Sequence, residues 1–374
     1  MSGRIRPETE LASRHEALGA VLEPWGGVGT AYDYALQSTE DEHDAIRERV
    51  GVFDVSGLHK AWVTGPDAAA VLDHMCVRDV ARMVDGQGGY TPVLTEEGTV
   101  TDDAIIYRYS ADRFLYVNGT GKSEEMAKLS MEGMACQWEN DDSIQDLAVQ
   151  GPDSMRLINS LISDDISRMR FYRFIETTFQ GRDVMISRTG FTGEVGYEIY
   201  CDRADVCFIW DTLLKEGQNY KIMATGFDCL DKVRIESALL FYPYDMDESH
   251  SIHEAGLAWS LPKNKVADYR GSAMVEVSRG QEKSKIVGVV VDHHDICSED
   301  ALLYVNGQEV GKITSPAWSH RMDQSLALAR VDTEHASVGT TYDVIGGGMN
   351  TTAVNTSIPF FDPKKKRLRA RPKK

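Results

Sequence analysis

Two carboxylates stand side by side in Thr101-Asp102-Asp103-Ala104-Ile105-Ile106-Tyr107, where the polar stretch Glu96-Glu97-Gly98-Thr99 feeds into an apolar run. The β-branched and aromatic residues after the pair predict a buried strand, with Asp103 at its mouth. Burying a carboxylate alone is costly, so this one is either paired or used as an acid or base. The plainer alternative is a turn whose Asp side chains accept neighbouring backbone amides.

Glu198 poses the same question in the apolar strand Tyr197-Glu198-Ile199-Tyr200. It follows the loop Thr189-Gly190-Phe191-Thr192-Gly193-Glu194-Val195-Gly196, whose glycines allow backbone to approach backbone or a flat ligand. A bulge or hairpin would use them equally well. The edge of a pterin ring, with its adjacent N–H donors, would satisfy Glu198 in a bidentate manner.

Other chemistries lose ground. Asn118-Gly119-Thr120-Gly121-Lys122-Ser123 looks like part of a phosphate loop, but Tyr116 breaks the required spacing. The ten histidines include no H-E-x-x-H, and His293-His294 are adjacent and fit one metal poorly, so no metal site is expected. No nucleophile elbow or dinucleotide fingerprint is present.

The elements that must position these residues follow from an internal repeat. Gly65-Pro66-Asp67 through Met83 aligns without a gap onto Gly151-Pro152-Asp153 through Met169, 86 positions later, with six identities over 19 positions. Each copy follows a strand, opens a helix and leads into further strands, which predicts a duplicated α+β unit with a ligand cleft between the copies. Ahead of the repeat, the pattern predicts a helix from Glu8 to Gly19, an aromatic loop from Pro24 to Tyr34 and a second helix capped at Thr39. A short strand from Val52 to Ser56 ends in the turn Gly57-Leu58-His59-Lys60. After the repeat come a helix from Gly226 to Leu240 and a loop and strand between Tyr242 and Trp259. Short strands from Lys285 to Val344, broken by turns such as Asn306-Gly307, predict a small antiparallel barrel. The expected division is residues 1–280, 281–362 and a basic, disordered tail at 363–374.

Composition agrees with an ordinary globular chain of 374 residues. No run is apolar enough for a membrane helix and the N-terminus lacks a signal core, so a cytoplasmic location is expected. The six scattered cysteines include no C-x-x-C pair and read as reduced thiols. A net charge of −18 argues against nucleic acid as a partner.

Together, Phe53-Asp54-Val55-Ser56, Gly65-Pro66-Asp67, Asp102-Asp103, Leu147-Ala148-Val149-Gln150-Gly151-Pro152, Arg188-Thr189-Gly190-Phe191-Thr192-Gly193-Glu194, Arg234-Ile235-Glu236 and Glu254-Ala255-Gly256-Leu257 resemble, in order and spacing, the folate-dependent T-protein (aminomethyltransferase) superfamily. The match runs from about Leu18 to Val344. It implies a tetrahydrofolate site in the cleft of the duplicated region, with the barrel closing one side. The resemblance puts Asp103 near the reactive N5/N10 edge of the folate and Glu198 on the pterin. Tyr90, Phe191, Leu58, Arg234 and Tyr172 are the further cofactor-binding candidates, with Phe191 where the family often has Tyr and Leu58 where it has Met.

The departures bear on the donor. Leu230 replaces an Arg of cleavage-system T-proteins, and Gly57-Leu58 replaces H-M. Arg170-Phe171-Tyr172-Arg173-Phe174, Arg234-Ile235-Glu236-Ser237-Ala238-Leu239-Leu240 and Ser315-Pro316-Ala317-Trp318-Ser319 look more like the tetrahydrofolate-dependent demethylases, among them the dimethylsulfoniopropionate demethylases. That branch often alters the T-G-x-T-G-E loop, which is intact here. The leading expectation is a methyltransferase of one-carbon metabolism moving a methyl or methylene group from a small methylated donor to tetrahydrofolate. Tyr242, His59, His253 and Trp318 are candidates for the donor pocket. One rival is the glycine-cleavage aminomethyltransferase, acting on a lipoyl carrier protein. Another is a non-catalytic folate-binding repair or regulatory protein, whose K-G-C-Y-x-G-Q motif is absent.

Overall fold

The computed structural model describes residues 9–369. It opens with α1 (Ala12–Ala17) and a hairpin of β1 (Leu22–Trp25) and β2 (Val28–Ala31), followed by α2 (Thr39–Glu48) and β3 (Gly51–Asp54). The first unit holds β4 (His59–Thr64), α3 (Ala68–Met75), β5 (Gln87–Leu94), β6 (Val100–Ser110), β7 (Arg113–Asn118), α4 (Ser123–Ser130) and β8 (Gln137–Asn140). The second holds β9 (Ile144–Gln150), α5 (Ser154–Asn159), β10 (Phe174–Phe179), β11 (Arg182–Ser187), β12 (Gly196–Asp202), α6 (Arg203–Glu216) and β13 (Met223–Ala224). Next come α7 (Phe227–Glu236) and α8 (Ser272–Ser278), then β14 (Ser284–Val291), β15 (Leu302–Val305), β16 (Gln308–Ser319), β17 (Gln324–Asp332), β18 (Thr341–Gly346) and β19 (Met349–Thr356).

The duplication is visible in the topology. The first sheet runs β5-β6-β7-β4-β8 and the second β10-β11-β12-β9-β3-β13, so four strands recur in the same relative order. Gly65 and Gly151 sit at φ +123° and +122°, where a Cβ would strike the backbone oxygens of Ala135 and Arg49. Those contacts explain why both copies begin with glycine. The isolated bridges Cys76↔Val93 and Ile162↔Phe179 are related by the same 86-residue offset.

Each sheet covers its outer face with its own helices. Val93, Ala104, Ile106 and Tyr116 pack with Leu72, Met75, Met126 and Ala127 in one core. Leu147, Val149, Ile186 and Ile199 pack with Leu157, Ile158, Val206 and Trp210 in another. The inner faces meet through Tyr107, Leu115, Val117, Phe174, Met185 and Tyr200. The six C-terminal strands close into an antiparallel barrel in the order β14-β17-β16-β15-β18-β19, so no edge is left open. Among the described residues, no helix is long and apolar enough to cross a membrane.

Several local expectations are corrected. The aromatic loop is the β1–β2 hairpin, turned by Gly26-Gly27 at φ +58° and +81°. The cap of α2 is Ser38, whose Oγ accepts the Asp41 amide at 3.1 Å, one residue before the predicted Thr39. The first helix begins only at Ala12, and Glu8 lies outside the described residues. The predicted helix from Gly226 to Leu240 stops at Glu236, because Ala238 turns to φ +50°. Between Glu254 and Trp259 there is a turn in place of a strand, tied by Glu254 accepting the Ser251 amide at 2.9 Å. His59 and Lys60 open β4 rather than ending a turn.

The tail, expected to be disordered from residue 363, contacts the body at Arg367 and Leu368. The Arg367 Nε donates to Glu194 Oε2 at 2.6 Å, and the Leu368 carbonyl accepts Arg188 Nη2 at 3.4 Å. A charge run read as solvated therefore finds a buried acidic partner in the glycine-rich loop.

Candidate functional site

Strand alternation separates the two adjacent carboxylates. In the β5–β6 register Val93 pairs with Asp102 and Pro92 with Asp103, so consecutive side chains leave opposite faces. Asp102 shares the outer face with Ala104 and Ile106 and is fully buried. It accepts Asn118 Nδ2 at 2.8 Å, Ser123 Oγ at 2.5 Å, the Ser123 amide at 3.1 Å and the Asp103 amide at 2.8 Å. Burial outweighs these bonds and pushes its pKa up to about 6. A Cβ on Gly121 would fall 2.3 Å from the Asp102 carboxyl carbon. The loop that looked like a phosphate cradle thus holds an anion, but the anion is the protein's own.

Asp103 shares the inner face with Ile105 and Tyr107 and is partly buried. Burial first, then the neighbouring Asp102 charge, pushes its pKa up to about 7, while the Tyr90 hydroxyl opposes the shift. Tyr90, two residues along the partner strand from Pro92, stacks on Trp259 with ring centroids 5.6 Å apart. Tyr172 lies within electrostatic reach of Asp103, Glu198 and Arg78. Its φ of +58° is strained for a bulky residue; its amide donates to the Arg188 carbonyl at 3.1 Å, and its carbonyl accepts the Gly88 amide at 2.9 Å.

Glu198 projects from the second sheet toward the first. Tyr107 Oη, from β6, donates to Glu198 Oε2 at 3.2 Å, Tyr200 Oη donates to the same oxygen at 3.1 Å, and Thr189 Oγ1 donates there as well. No hydrogen bond from the described residues reaches Oε1. Burial raises the Glu198 pKa against these donors. Asp146, opposite Tyr200 in the β9–β12 register, is fully buried, and neither of its carboxyl oxygens has a hydrogen-bond partner among the described residues. Burial and then Glu198 raise its pKa. Lys60, also buried, donates to the Ser56 carbonyl at 3.0 Å and lowers both acidic pKa values. Leu58 packs against the cluster holding Phe53 and Leu230, which Phe191 also joins, and against the inner-face cluster of Tyr107 and Tyr200.

Asp103, Tyr90, Tyr172, Glu198, Leu58 and Phe191 are therefore gathered about the space between the inner sheet faces. Arg234 is not in that group. Its Nε donates to Asp231 at 2.7 Å, Nη1 to Asp245 at 2.5 Å and Nη2 to Ser315 Oγ at 2.8 Å, which ties α7 to barrel strand β16. Asp245 in turn accepts Thr314 Oγ1 at 2.6 Å, so every Arg234 nitrogen is engaged within the protein.

The donor-pocket candidates are scattered. Tyr242 packs in the cluster that Tyr90 borders. His59 pairs with Asn118 in the β4–β7 register, on the outer-face side with Asp102's partner. His253 Nε2 bonds the Val275 carbonyl at 2.9 Å, and Trp318 pairs with Ser325 in the barrel. A cavity of about 330 Å³ opens at the outer end of β5, lined by Arg78, Arg82, Gln87 and Lys263. Asp146, Tyr107, Tyr200 and Thr189 are not among the site residues the sequence predicts, and Lys60 is predicted only as part of the turn from Gly57. Asp146 carried a readable signal, a lone Asp entering the apolar strand Leu147-Ala148-Val149.

The comparisons with known proteins agree with this fold. Residues 11–265 match the GCVT N-terminal domain, and residues 285–362 match the glycine cleavage T-protein C-terminal barrel domain. The chain is 38% identical over 370 residues to the heme-dependent oxidative N-demethylase gamma subunit of Ectopseudomonas mendocina, covering 96% of this chain and 97% of that one. It is 32% identical to the aminomethyltransferase of Bacillus subtilis, covering 94% and 98%. The crystal structure of glycine cleavage system aminomethyltransferase T from Bartonella henselae superposes with a TM-score of 0.88 at 25% identity, covering 96% and 98%. With both domain models matched in order on one T-protein fold, the chain belongs to the folate-dependent T-protein family.

Proposed function

We propose that the protein moves a one-carbon unit from a small methylated donor to tetrahydrofolate, with an N-methyl amine as the favoured donor class. The observation that carries this reading is that two differently prepared carboxylates, Asp103 on β6 and Glu198 on β12, both lie within electrostatic reach of Tyr172. Glu198 fits a pterin edge because three hydroxyls converge on Oε2 and none on Oε1, which leaves an acceptor for an incoming N–H. Leu58 and Phe191 offer apolar surface beside it, suited to a flat ring.

When bound, the folate supplies a nucleophilic nitrogen. The new carbon–nitrogen bond would form there as the bond between that carbon and its donor nitrogen breaks, the bonding pair staying with the donor, which leaves as a neutral amine when it enters as an ammonium. The Asp103 carboxylate stabilises positive charge developing on the nitrogen and takes its proton. A pKa near 7 suits that role, because the group is ionised often enough to act and basic enough to accept. Glu198 and the apolar walls fix the ring so that the nitrogen, carbon and leaving group lie in line.

The 38%-identical relative, an N-demethylase subunit, supports an amine source over a sulfonium one. The second reading is aminomethyl transfer from a lipoyl carrier protein, favoured by relatives named aminomethyltransferase. Leu230, where cleavage-system T-proteins carry Arg, is buried among Phe53, Val233 and Phe191, which supplies no cation for an acidic carrier. Incubation with tetrahydrofolate and a panel of methylated amines, sulfonium compounds and aryl ethers, with or without formaldehyde, tests the proposal. 5-Methyltetrahydrofolate is the product expected from a methylated donor, and 5,10-methylene-tetrahydrofolate, formed with loss of water, is the product expected from formaldehyde. Turnover only with an aminomethyl-lipoyl carrier, with ammonia released, would replace it by the second reading.

A further inference from the structure

We infer that His43, Asp44 and His320 form a binding site for one borderline divalent cation of the zinc class, clamping α2 to the end of barrel strand β16. One potential ligand atom from each of the three residues lies within 4.8 Å of the others. His43 is fully buried. Its Nε2 lies 2.9 Å from both Glu236 oxygens, and Glu236 also accepts Arg47 Nη2 at 2.7 Å and Ser319 Oγ at 2.6 Å. A carboxylate surrounded by donors fixes the His43 proton on Nε2, the outer-shell arrangement that orients metal-binding histidines.

The other ring nitrogen is then a lone pair, and Nδ1 has no hydrogen-bond partner among the described residues. It faces Asp44 Oδ1 at 3.6 Å, too far for a hydrogen bond. His320 Nε2 approaches the same oxygen at 3.3 Å, and its ring meets His43 edge-on with centroids 4.6 Å apart. Ligands bonded tetrahedrally at about 2.0–2.1 Å stand roughly 3.3–3.4 Å from one another, so the two separations to Asp44 Oδ1, 3.6 and 3.3 Å, already approach those of bound ligands, and the two imidazoles, within 4.8 Å, close further on an ion. Two imidazoles and one carboxylate suit zinc or its neighbours better than magnesium or calcium. Asp44 and His320 are 40% and 18% exposed, which provides an entry path and leaves water for a fourth position. Arg321 now contacts Asp44 at 3.3 Å but also Glu48 at 2.7 Å, so it keeps a partner when Asp44 turns to the ion.

The test uses the full chain stripped with a chelator and titrated with Zn²⁺ against a chromogenic competitor, with Co²⁺ absorption as a report on geometry. One ion per chain is expected, with affinity weakened at least tenfold in both His320→Gln and Asp44→Asn. A zinc-dependent rise in Tm of a few degrees is expected in the wild type and absent from His320→Gln. Both substitutions are at partly exposed side chains, and circular dichroism checks that the fold is kept. Failure to bind stoichiometrically overturns the inference. So does stoichiometric binding unchanged in both variants, which would assign the ion to other groups such as the six thiols.

Discussion

The backbone amide of Asp103 donates to Asp102 Oδ1 at 2.8 Å, so the buried carboxyl on one face of β6 holds the peptide from which its neighbour leaves the other face. The same contact brings the Asp102 charge close enough to raise the Asp103 pKa. One residue thus sets both the direction and the proton affinity of the next.

The Asp103 pKa of about 7 compares with roughly 4 in an unfolded chain. Between those values the folded protein keeps a proton that the unfolded chain has lost, so this group's contribution to stability declines as pH rises from about 4 to about 7 and is level above. Asp103→Asn cannot ionise. It should be more stable than wild type at pH 8, by about 1–3 kcal/mol after allowance for its partial exposure, and equal to it below about pH 4. Its kcat should fall by roughly 10²–10⁴, whereas wild-type kcat/KM should climb with pH around a midpoint near 7. Thermal melts across pH and a pH–rate profile measure both effects. Unchanged turnover in the Asn variant would remove Asp103 from the chemistry.

Glu198→Gln keeps the side-chain shape but places an amide where three hydroxyls converge and an open acceptor remains. Folate affinity should weaken by about 10–100-fold, which corresponds to roughly 1.4–2.8 kcal/mol. Tryptophan-fluorescence titration with tetrahydrofolate reads this directly. Equal affinity in the variant would place the pterin elsewhere.

Arg234 was expected at the cofactor and is found in a buried network between α7 and β16. Arg234→Met leaves Asp245 buried without its cation and should destabilise the fold by about 3–5 kcal/mol. At a temperature where the variant remains folded, its folate Kd should match wild type. A large loss of folate affinity with little change in Tm would restore the cofactor role.

Arg367 closes over the glycine-rich loop through Glu194 Oε2 at 2.6 Å, and its Nη2 also donates to the Arg47 carbonyl. Arg367→Ala should lower stability by about 1–3 kcal/mol by leaving Glu194, only 3% exposed, without its closest cation. Faster hydrogen exchange across residues 189–196, measured by mass spectrometry, should accompany that loss. Protection equal to wild type would show that the tail does not brace the loop.

The duplicated unit is readable because G-P-D recurs with a constant offset and because glycine alone fits both positive-φ positions. Asp103 and Glu198 are readable because a carboxylate in an apolar strand violates the ordinary pattern. Tyr172 was reached only through the family resemblance, since nothing local announces its left-handed backbone. β19 escaped because five of the eight residues in Met349–Thr356 are polar, and of its side chains only Ala353 and Asn355 are buried. His43 and His320 carry no shared motif, being 277 positions apart, and only the packing of α2 on the barrel brings them together.

The two sheets each possess a separate outer core, and Asp103 leaves the inner face of one sheet while Glu198 leaves the inner face of the other. The distance from acid to ring anchor is therefore a property of docking, set by the aromatic seam of Tyr107, Phe174, Met185 and Tyr200. Catalytic alignment can then be tuned, or lost, by substitutions in that seam that leave both halves folded, and activity becomes a gauge of how the two ancestral copies sit on one another.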